Sequence, residues 1–128
     1  MVGIVIVSHS EKIAEGVKEV AEQMAQEVKI CSAGGTSDGR IGTDTMKIYA
    51  AIEDAFDEDG VILLFDLGSS LMNAEMAIEF LDENIKSKVE IIDAPLVEGT
   101  VVAAVDASMN KTIEEIKNNL KRMSLNKY

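Results

Sequence analysis

Residues 2–11, VGIVIVSHSE, decide the fold, because an uncharged apolar run ends there abruptly in polar residues. The run from Val2 to Val7 is rich in β-branched side chains, which is typical of a strand buried on both faces of a parallel sheet. Shortly after it stands His9, the single histidine of the chain. The sequence therefore predicts that the first strand carries His9 to the edge of a sheet.

A helical pattern follows this strand. From Glu11 onward, apolar residues recur at helical spacing, with Glu, Lys and Gln between them. This pattern predicts an amphipathic helix whose apolar stripe is Ile13, Val17, Val20, Ala21 and Met24.

The alternation of strand and helix continues along the chain. Further strands are predicted at residues 28–32, 61–65 and 89–92. Four further helices are predicted from their apolar stripes, which are Ile48, Ile52 and Ala55; Leu71, Ala74, Ile78 and Leu81; Val101, Val102, Val105 and Met109; and Ile113, Ile116, Leu120 and Met123. The first of these four helices is expected to begin near residues 43–45, and a capping box at Thr112 and Glu115 opens the last.

This alternation predicts an α/β fold, a three-layer α/β/α sandwich around a doubly wound, mostly parallel sheet. Four strands of this kind favour the order 2-1-3-4, and the length predicts a single domain over residues 1–128. Strands 1 and 3 are then neighbours, and the direction of winding reverses between them. Such folds bind their ligands at this switch point, outside the carboxyl ends of the strands.

Three polar loops are expected to meet at the switch point. They are the SHSE sequence after Val7, the glycine-rich loop after Ser32 and the DLGSS sequence after Phe65. Because neighbouring strands lie about 4.8 Å apart, His9 and Asp66 are expected to touch.

This pair suggests phosphoryl chemistry. A neutral imidazole attacks phosphorus through one ring nitrogen, and an acceptor on the other nitrogen fixes the tautomer and stabilises the cation that forms. Asp66 is the predicted acceptor, which makes Nε2 of His9 the predicted nucleophile. Phosphoryl oxygens need donors, such as hydroxyls and the free N–H groups of helix N-termini. The candidate phosphate-binding residues are Ser10, Gly35, Thr36, Gly68, Ser69 and Ser70.

The same residues also allow a purely structural interpretation. His9 is then only the entry to a helix that Ser8 or Ser10 caps, Asp66 is itself a cap, and the glycine-rich loop is a plain turn. The convergence of His9 and Asp66 on two neighbouring strands favours the functional interpretation.

Composition argues against several other classes of function. A net charge of −11 is unsuited to nucleic acid and indicates either an ordinary polar surface or a docking face for a basic protein. One histidine and one cysteine are too few for a metal site, and Cys31 and most methionines are expected in the core. Neither a Walker A loop nor a GxSxG elbow is present. No signal peptide or membrane span is predicted, so a cytoplasmic location is expected.

Four blocks of the sequence resemble a known family. They are IVIVSHSEKIAEGV at 4–17, IGTDTMKIYAAIE at 41–53, DLGSSLMNAEMAIEFL at 66–81 and APLVEGTVVAAV at 94–105. These blocks resemble the phosphotransferase subunit, of the DhaM type, of the phosphoenolpyruvate-dependent dihydroxyacetone kinase. The resemblance extends more distantly to the IIA domain of mannose-type sugar permeases, part of the phosphotransferase system.

The resemblance implies a specific chain of transfers. Phosphate from phosphoenolpyruvate passes through enzyme I and HPr to the histidine matched by His9, and then to ADP held on the nucleotide-binding kinase subunit. It implies that Asp66 orients His9, that Ser69 and Ser70 meet the phosphate, that this chain binds no cofactor of its own, and that it forms a homodimer. Some relatives carry fused HPr-like domains, and here HPr is expected as a separate protein.

Two other functions stay open from the sequence. One is a mannose-type IIA component that delivers phosphate to a IIB domain, although its relatives typically show a Gly-His-Gly-like turn instead of SHS. The other is a regulatory module that is phosphorylated on His9 and binds a partner. A fifth, edge strand of the permease IIA domains also stays open, because the sequence after residue 110 is helical in pattern.

Overall fold

A computed structural model describes residues 1–127 and contains one four-stranded parallel sheet. The strands are β1 (Gly3–Ser8), β2 (Ile30–Gly34), β3 (Val61–Phe65) and β4 (Val89–Ile92). Their order is β2-β1-β3-β4, so the predicted α/β fold and strand order are confirmed. All residues of the two central strands are buried, as their uncharged sequences require.

Helices cover both faces of this sheet, which gives the predicted three layers. They are α1 (Glu11–Met24), α2 (Thr45–Ala55), α3 (Leu71–Glu79), α4 (Glu83–Lys86), α5 (Leu96–Ser108) and α6 (Ile113–Lys121), with a 3₁₀ turn at Gly68–Ser70. One apolar core joins α1, α5 and α6 to the sheet, and a second joins α2 and α3 to its other face. The predicted capping box at Thr112 and Glu115 is present at the start of α6.

The second strand lies two residues later than predicted. Val28 is buried, but its N–H donates to the Ala25 carbonyl in a turn, so it precedes the sheet ladder. At its other end β2 continues to Gly34, which pairs with Ser8 of β1. The predicted glycine-rich loop is therefore shorter than expected, because its first residues belong to the strand.

The large apolar residues predicted to face the core do so only in part. In α1 the buried residues are Ala14, Val17 and Ala21, whereas Ile13, Val20 and Met24 are exposed. In α5 the buried face consists mainly of glycine and alanine, and the predicted Met109 is exposed. Small side chains let these helices approach the sheet closely, so size and not hydrophobicity alone selects the buried face.

Two smaller expectations also change. Five of the seven methionines are exposed, namely Met24, Met46, Met72, Met76 and Met109, so the prediction that most lie in the core is wrong. Cys31 is only half-buried, because β2 lies at the edge of the sheet. Within residues 1–127 the sheet has four strands, and the segment after α6 is irregular.

No helix among the described residues is both long and apolar enough to cross a bilayer.

We expect a methyl group at Gly3 to destabilise the fold strongly. A Cβ at Gly3 would lie 2.1 Å from the backbone carbonyl oxygen of Ala55, at the end of α2. The G3A variant should lose about 3 kcal/mol in the free energy of unfolding, because backbone must move to relieve the overlap. The measurement is urea denaturation followed by circular dichroism.

Gly16 provides the matched control for this substitution. It is an exposed residue in α1, and nothing lies within 4 Å of an added Cβ. The G16A variant should gain about 0.5 to 1 kcal/mol, because alanine favours the helix. Equal stability of the two variants would contradict the close approach of α2 to β1.

Candidate functional site

His9 lies where β1 ends and α1 begins. Ser8 is the last residue of the strand, and Ser10 is the N-cap of α1, with its hydroxyl accepting a bond of 3.3 Å from the Ile13 N–H. The single residue between strand and cap fixes the backbone of His9 at the carboxyl edge of the sheet. Its side chain is 21% exposed, so the ring is held yet reachable.

Asp66 occupies the corresponding position after β3. Its backbone N–H donates to the Val7 carbonyl at 3.1 Å, which continues the ladder between the two central strands. Its Oδ1 lies 3.0 Å from Nδ1 of His9. The predicted contact between these two side chains is therefore present, as parallel pairing of β1 with β3 requires.

Four donors converge on the Asp66 carboxylate. The His9 N–H and the Ser8 hydroxyl both donate to Oδ2 at 2.9 Å, and the Leu67 N–H donates to Oδ1 at 2.6 Å, in addition to the ring contact. Burial alone raises the pKa of Asp66, but these hydrogen bonds outweigh it and hold the pKa below its ordinary value. Asp66 is therefore ionised near neutral pH.

The charge of Asp66 decides the tautomer of His9. An ionised carboxylate only accepts hydrogen bonds, so Nδ1 carries the proton. Nε2 then has the free electron pair, and the Ser69 hydroxyl lies 2.9 Å from it. The ring is thus held from both sides, with its nucleophilic nitrogen beside a hydroxyl donor.

The other predicted phosphate-binding residues lie in different surroundings. The Ser70 hydroxyl is buried and donates to the Leu67 carbonyl at 2.7 Å, which closes the 3₁₀ turn. The Thr36 hydroxyl bonds to Asp38 and accepts from the Arg40 N–H, within its own loop. These two hydroxyls are committed to loop structure, so the geometry does not bring them to the ring of His9.

The predicted glycines have backbone roles at the site. Gly35 adopts a φ of +70° and donates its N–H to the Ser8 carbonyl, while Gly42 of the same loop donates to the His9 carbonyl. This loop therefore holds the backbone around His9. Gly68 lies against the Lys127 carbonyl oxygen, which would be 2.2 Å from an added Cβ.

Ser8 and Lys47 also contribute here, although the sequence analysis did not assign them to the site. Ser8 belongs to the site, because its hydroxyl bonds Asp66 and also accepts from the Ser10 N–H at 3.0 Å. Its position at the end of β1, next to the predicted site, is the signal that was available. The role of Lys47 could not be predicted from the sequence, because its contacts join segments that are distant along the chain. From α2 its ammonium reaches the Gly34 carbonyl at 2.7 Å and the Glu11 carboxylate at 3.2 Å.

Because the pKa of Asp66 is lowered in the folded state, the free energy of unfolding should fall at acidic pH. Because the folded pKa lies below the unfolded value of about 3.9, Asp66 stabilises the fold above pH 4, and this contribution is lost as pH falls through the folded pKa. The urea midpoint should therefore fall between pH 5 and pH 3, and it should fall less in the D66N variant. Parallel curves for the two proteins would show that Asp66 is not selectively stabilised in the folded state.

Comparison with known proteins identifies the family of this chain. The family model described as the PTS system fructose IIA component, EIIA-man, matches residues 3–117. A Listeria innocua protein named as the phosphoryl donor subunit DhaM of a PEP-dependent dihydroxyacetone kinase is 44% identical over 117 residues, covering 91% of this chain and 94% of that protein. The Escherichia coli protein of that name is 45% identical over 91% of this chain, which spans only 25% of its length.

A solved structure gives the same result for the fold. The crystal structure of a protein of unknown function, EF1359, superposes with a TM-score of 0.83 at 38% identity and covers 94% of both chains. Since the family model spans most of the sequence, including both His9 and Asp66, this chain belongs to the EIIA-man family of phosphotransferase system components.

Proposed function

We propose that this chain is a phosphoryl carrier, in which His9 takes phosphate from phospho-HPr and passes it to ADP held on the nucleotide-binding subunit of a dihydroxyacetone kinase. One observation carries the proposal. Nδ1 of His9 lies 3.0 Å from the ionised Asp66 and Nε2 lies 2.9 Å from the Ser69 hydroxyl, in a side chain that is 21% exposed. This is the arrangement that a histidine nucleophile needs.

The transfer itself is an exchange of one bond to phosphorus for another. The lone pair of Nε2 forms a bond to phosphorus as the bond between phosphorus and the donor atom of phospho-HPr breaks, and the electron pair of that bond returns to the donor atom. His9 keeps its Nδ1 proton, so its ring gains positive charge. Asp66 lies 3.0 Å from that proton and stabilises this charge.

The phosphoryl oxygens meet donors on both sides of His9. The Ser69 hydroxyl is already within hydrogen-bond distance of Nε2. The α1 helix begins at Glu11, two residues after His9, and its first turn presents free N–H groups and the positive end of the helix dipole. These donors and the helix dipole offset part of the negative charge of the phosphoryl group.

The surroundings of the site suit protein partners. Exposed apolar side chains adjoin it along the chain: Leu67 follows Asp66, Met72 is the second residue of α3, and Ile41 precedes the glycine that bonds His9. Ile41 is 77% exposed and Met72 is 73% exposed. Residues of this kind are typical of surfaces that a partner covers.

The names of the relatives support the kinase as the acceptor. Proteins 36–45% identical to this chain are named as DhaM subunits of dihydroxyacetone kinases. By this proposal ADP and ATP are bound by the partner subunit, and the chain itself holds no cofactor. The homodimer stays a prediction, which sedimentation of the purified chain would check.

The proposal is tested by following the phosphoryl group. The chain is incubated with phosphoenolpyruvate, enzyme I and HPr, and its intact mass is measured at neutral pH. One acid-labile phosphoryl group is expected, and none when HPr is omitted. On addition of ADP-loaded kinase subunit the group should leave and ATP should form.

The same experiment separates the alternatives. Transfer to a mannose-type IIB domain in preference to ADP would favour a permease component. Absence of the adduct, under conditions that phosphorylate a known IIA protein, would overturn the carrier function.

A further inference from the structure

The segment that follows α6, residues 124–127, crosses the carboxyl ends of β3 and β4, and we call it the strap. The buried residue Asp93 holds its backbone in place. Oδ2 of Asp93 accepts bonds from the Ser124 hydroxyl at 2.9 Å, the Leu125 N–H at 3.1 Å and the Lys127 N–H at 3.2 Å. Burial raises the pKa of Asp93, but the bonds from Ser124 and Lys127 outweigh it and lower that pKa. The anchor of the strap is therefore a charged carboxylate.

The side chain of Lys127 enters the edge of the sheet. Its ammonium donates to the last carbonyl of β3, that of Phe65, at 2.5 Å, and to the Ala94 carbonyl after β4 at 2.9 Å. It also lies 4.3 Å from the centre of the Phe65 ring, and the side chain is only 12% exposed. Lys127 thus joins the ends of two strands, and one of these strands leads directly into Asp66.

The backbone of the strap supports the loop that carries the site. The Lys127 carbonyl oxygen lies so close to Gly68 that an added Cβ would be 2.2 Å from it. Gly68 stands between Asp66 and Ser69, the two residues that hold the ring of His9. The strap therefore lies against the middle of this loop.

The charge of Lys127 is also directed toward the site. Oδ1 of Asp93 has no hydrogen-bond partner within the described residues, and Lys127 faces it at 3.7 Å. Burial lowers the pKa of Lys127 and outweighs the carboxylates of Asp93 and Asp66, which raise it, so the pKa lies below its ordinary value. Because the ammonium bonds the carbonyl of Phe65, the residue before Asp66, its positive charge acts on the Asp66 carboxylate.

We propose that Lys127 is a positioning residue for phosphoryl transfer: it fixes the loop from Asp66 to Ser69 and places a positive charge at the backbone that leads into Asp66. The inference rests on the proposed function, since it assigns a supporting role at the same site. Lys127 acts through Asp66 and the Phe65 carbonyl, and the contacts above give it no bond to His9 itself. Its charge offsets part of the negative charge that a phosphoryl group brings to this edge of the sheet.

The test compares K127M with K127R and with K121M. Methionine keeps the length and the contact with Phe65 but removes the charge, whereas arginine restores the charge. Lys121 is exposed at the end of α6, so K121M matches the change in net charge away from the site. Two quantities are measured. The first is the rate at which phospho-HPr phosphorylates the chain, and the second is the pKa of Asp66, followed by NMR through the chemical shift of its carboxyl carbon.

We expect K127M to accept phosphate about tenfold more slowly and to raise the pKa of Asp66 by about half a unit. K127R should recover most of both effects, and K121M should resemble the native chain. A native rate and a native Asp66 pKa in K127M would overturn the inference, as would failure of K127R to restore either quantity. If the native chain accepts no phosphate, the proposed function fails, and the Asp66 titration still decides whether the charge of Lys127 acts on the site.

Discussion

The H9Q variant should gain no phosphoryl group from phospho-HPr, whereas the native chain gains one. Glutamine has no ring nitrogen with a free electron pair, but it is similar in size to histidine and keeps the backbone N–H of residue 9 that donates to Asp66. The loss should therefore be complete while the fold is retained. Intact mass at neutral pH measures the phosphoryl group, and urea denaturation measures the fold.

The sequence offers no other histidine that could carry the phosphoryl group in the H9Q variant. His9 is the single histidine, so no second imidazole is available to take its place. An adduct of native yield on the H9Q variant would show that another residue carries the phosphate. A variant that fails to fold would instead show that His9 is needed by the loop, and the intact backbone bonds of His9 to Asp66 and Gly42 argue against that outcome.

The D66N variant should accept phosphate on the order of 10³-fold more slowly than the native chain. The Asp66 carboxylate accepts from four donors, and an asparagine amide has a single acceptor oxygen. If its NH₂ group faces the ring, it donates to Nδ1 and moves the His9 proton to Nε2. The nucleophilic electron pair is then lost, and the charge that stabilises the phosphorylated ring is lost as well.

Asp82 offers a control with the same change in charge. It is exposed before α4, and its side chain makes no capping bond there. The D82N variant should accept phosphate at the native rate. The measurement is the initial rate of phosphorylation at fixed phospho-HPr. A D66N rate within threefold of native would refute the role of Asp66 in holding the tautomer.

The sequence predicted the His9–Asp66 pair better than it predicted which hydroxyls lie beside the ring. His9 and Asp66 follow the two most apolar strands of the chain, and parallel pairing of those strands brings the carboxyl ends together. Ser69 was also predicted and lies at Nε2. Ser70 and Thr36 were not separable from Ser69 by residue type, because a hydroxyl in a polar loop satisfies either a ligand or its own backbone.

The main error of the hydrophobic periodicity concerned which side chains of the helices face the sheet. Spacing correctly located α1 and α5, but it assigned their large apolar residues to the core. In the folded chain Ala14 packs beside Gly34, and Gly99 beside Leu64, so the smallest residues face the sheet. A periodicity argument weighs hydrophobicity alone, whereas the distance between layers depends on side-chain volume.

By itself, the sequence determined the strands, the order of the sheet and the pairing of His9 with Asp66, because these depend on local apolar runs and on the handedness of parallel crossovers. Only the tertiary structure decided which hydroxyl lies at Nε2, which helix faces are buried, and that Lys127 reaches the end of β3 from more than sixty residues away along the chain. The physical reason is that these contacts join segments distant in sequence. Their geometry exists only once the layers have packed.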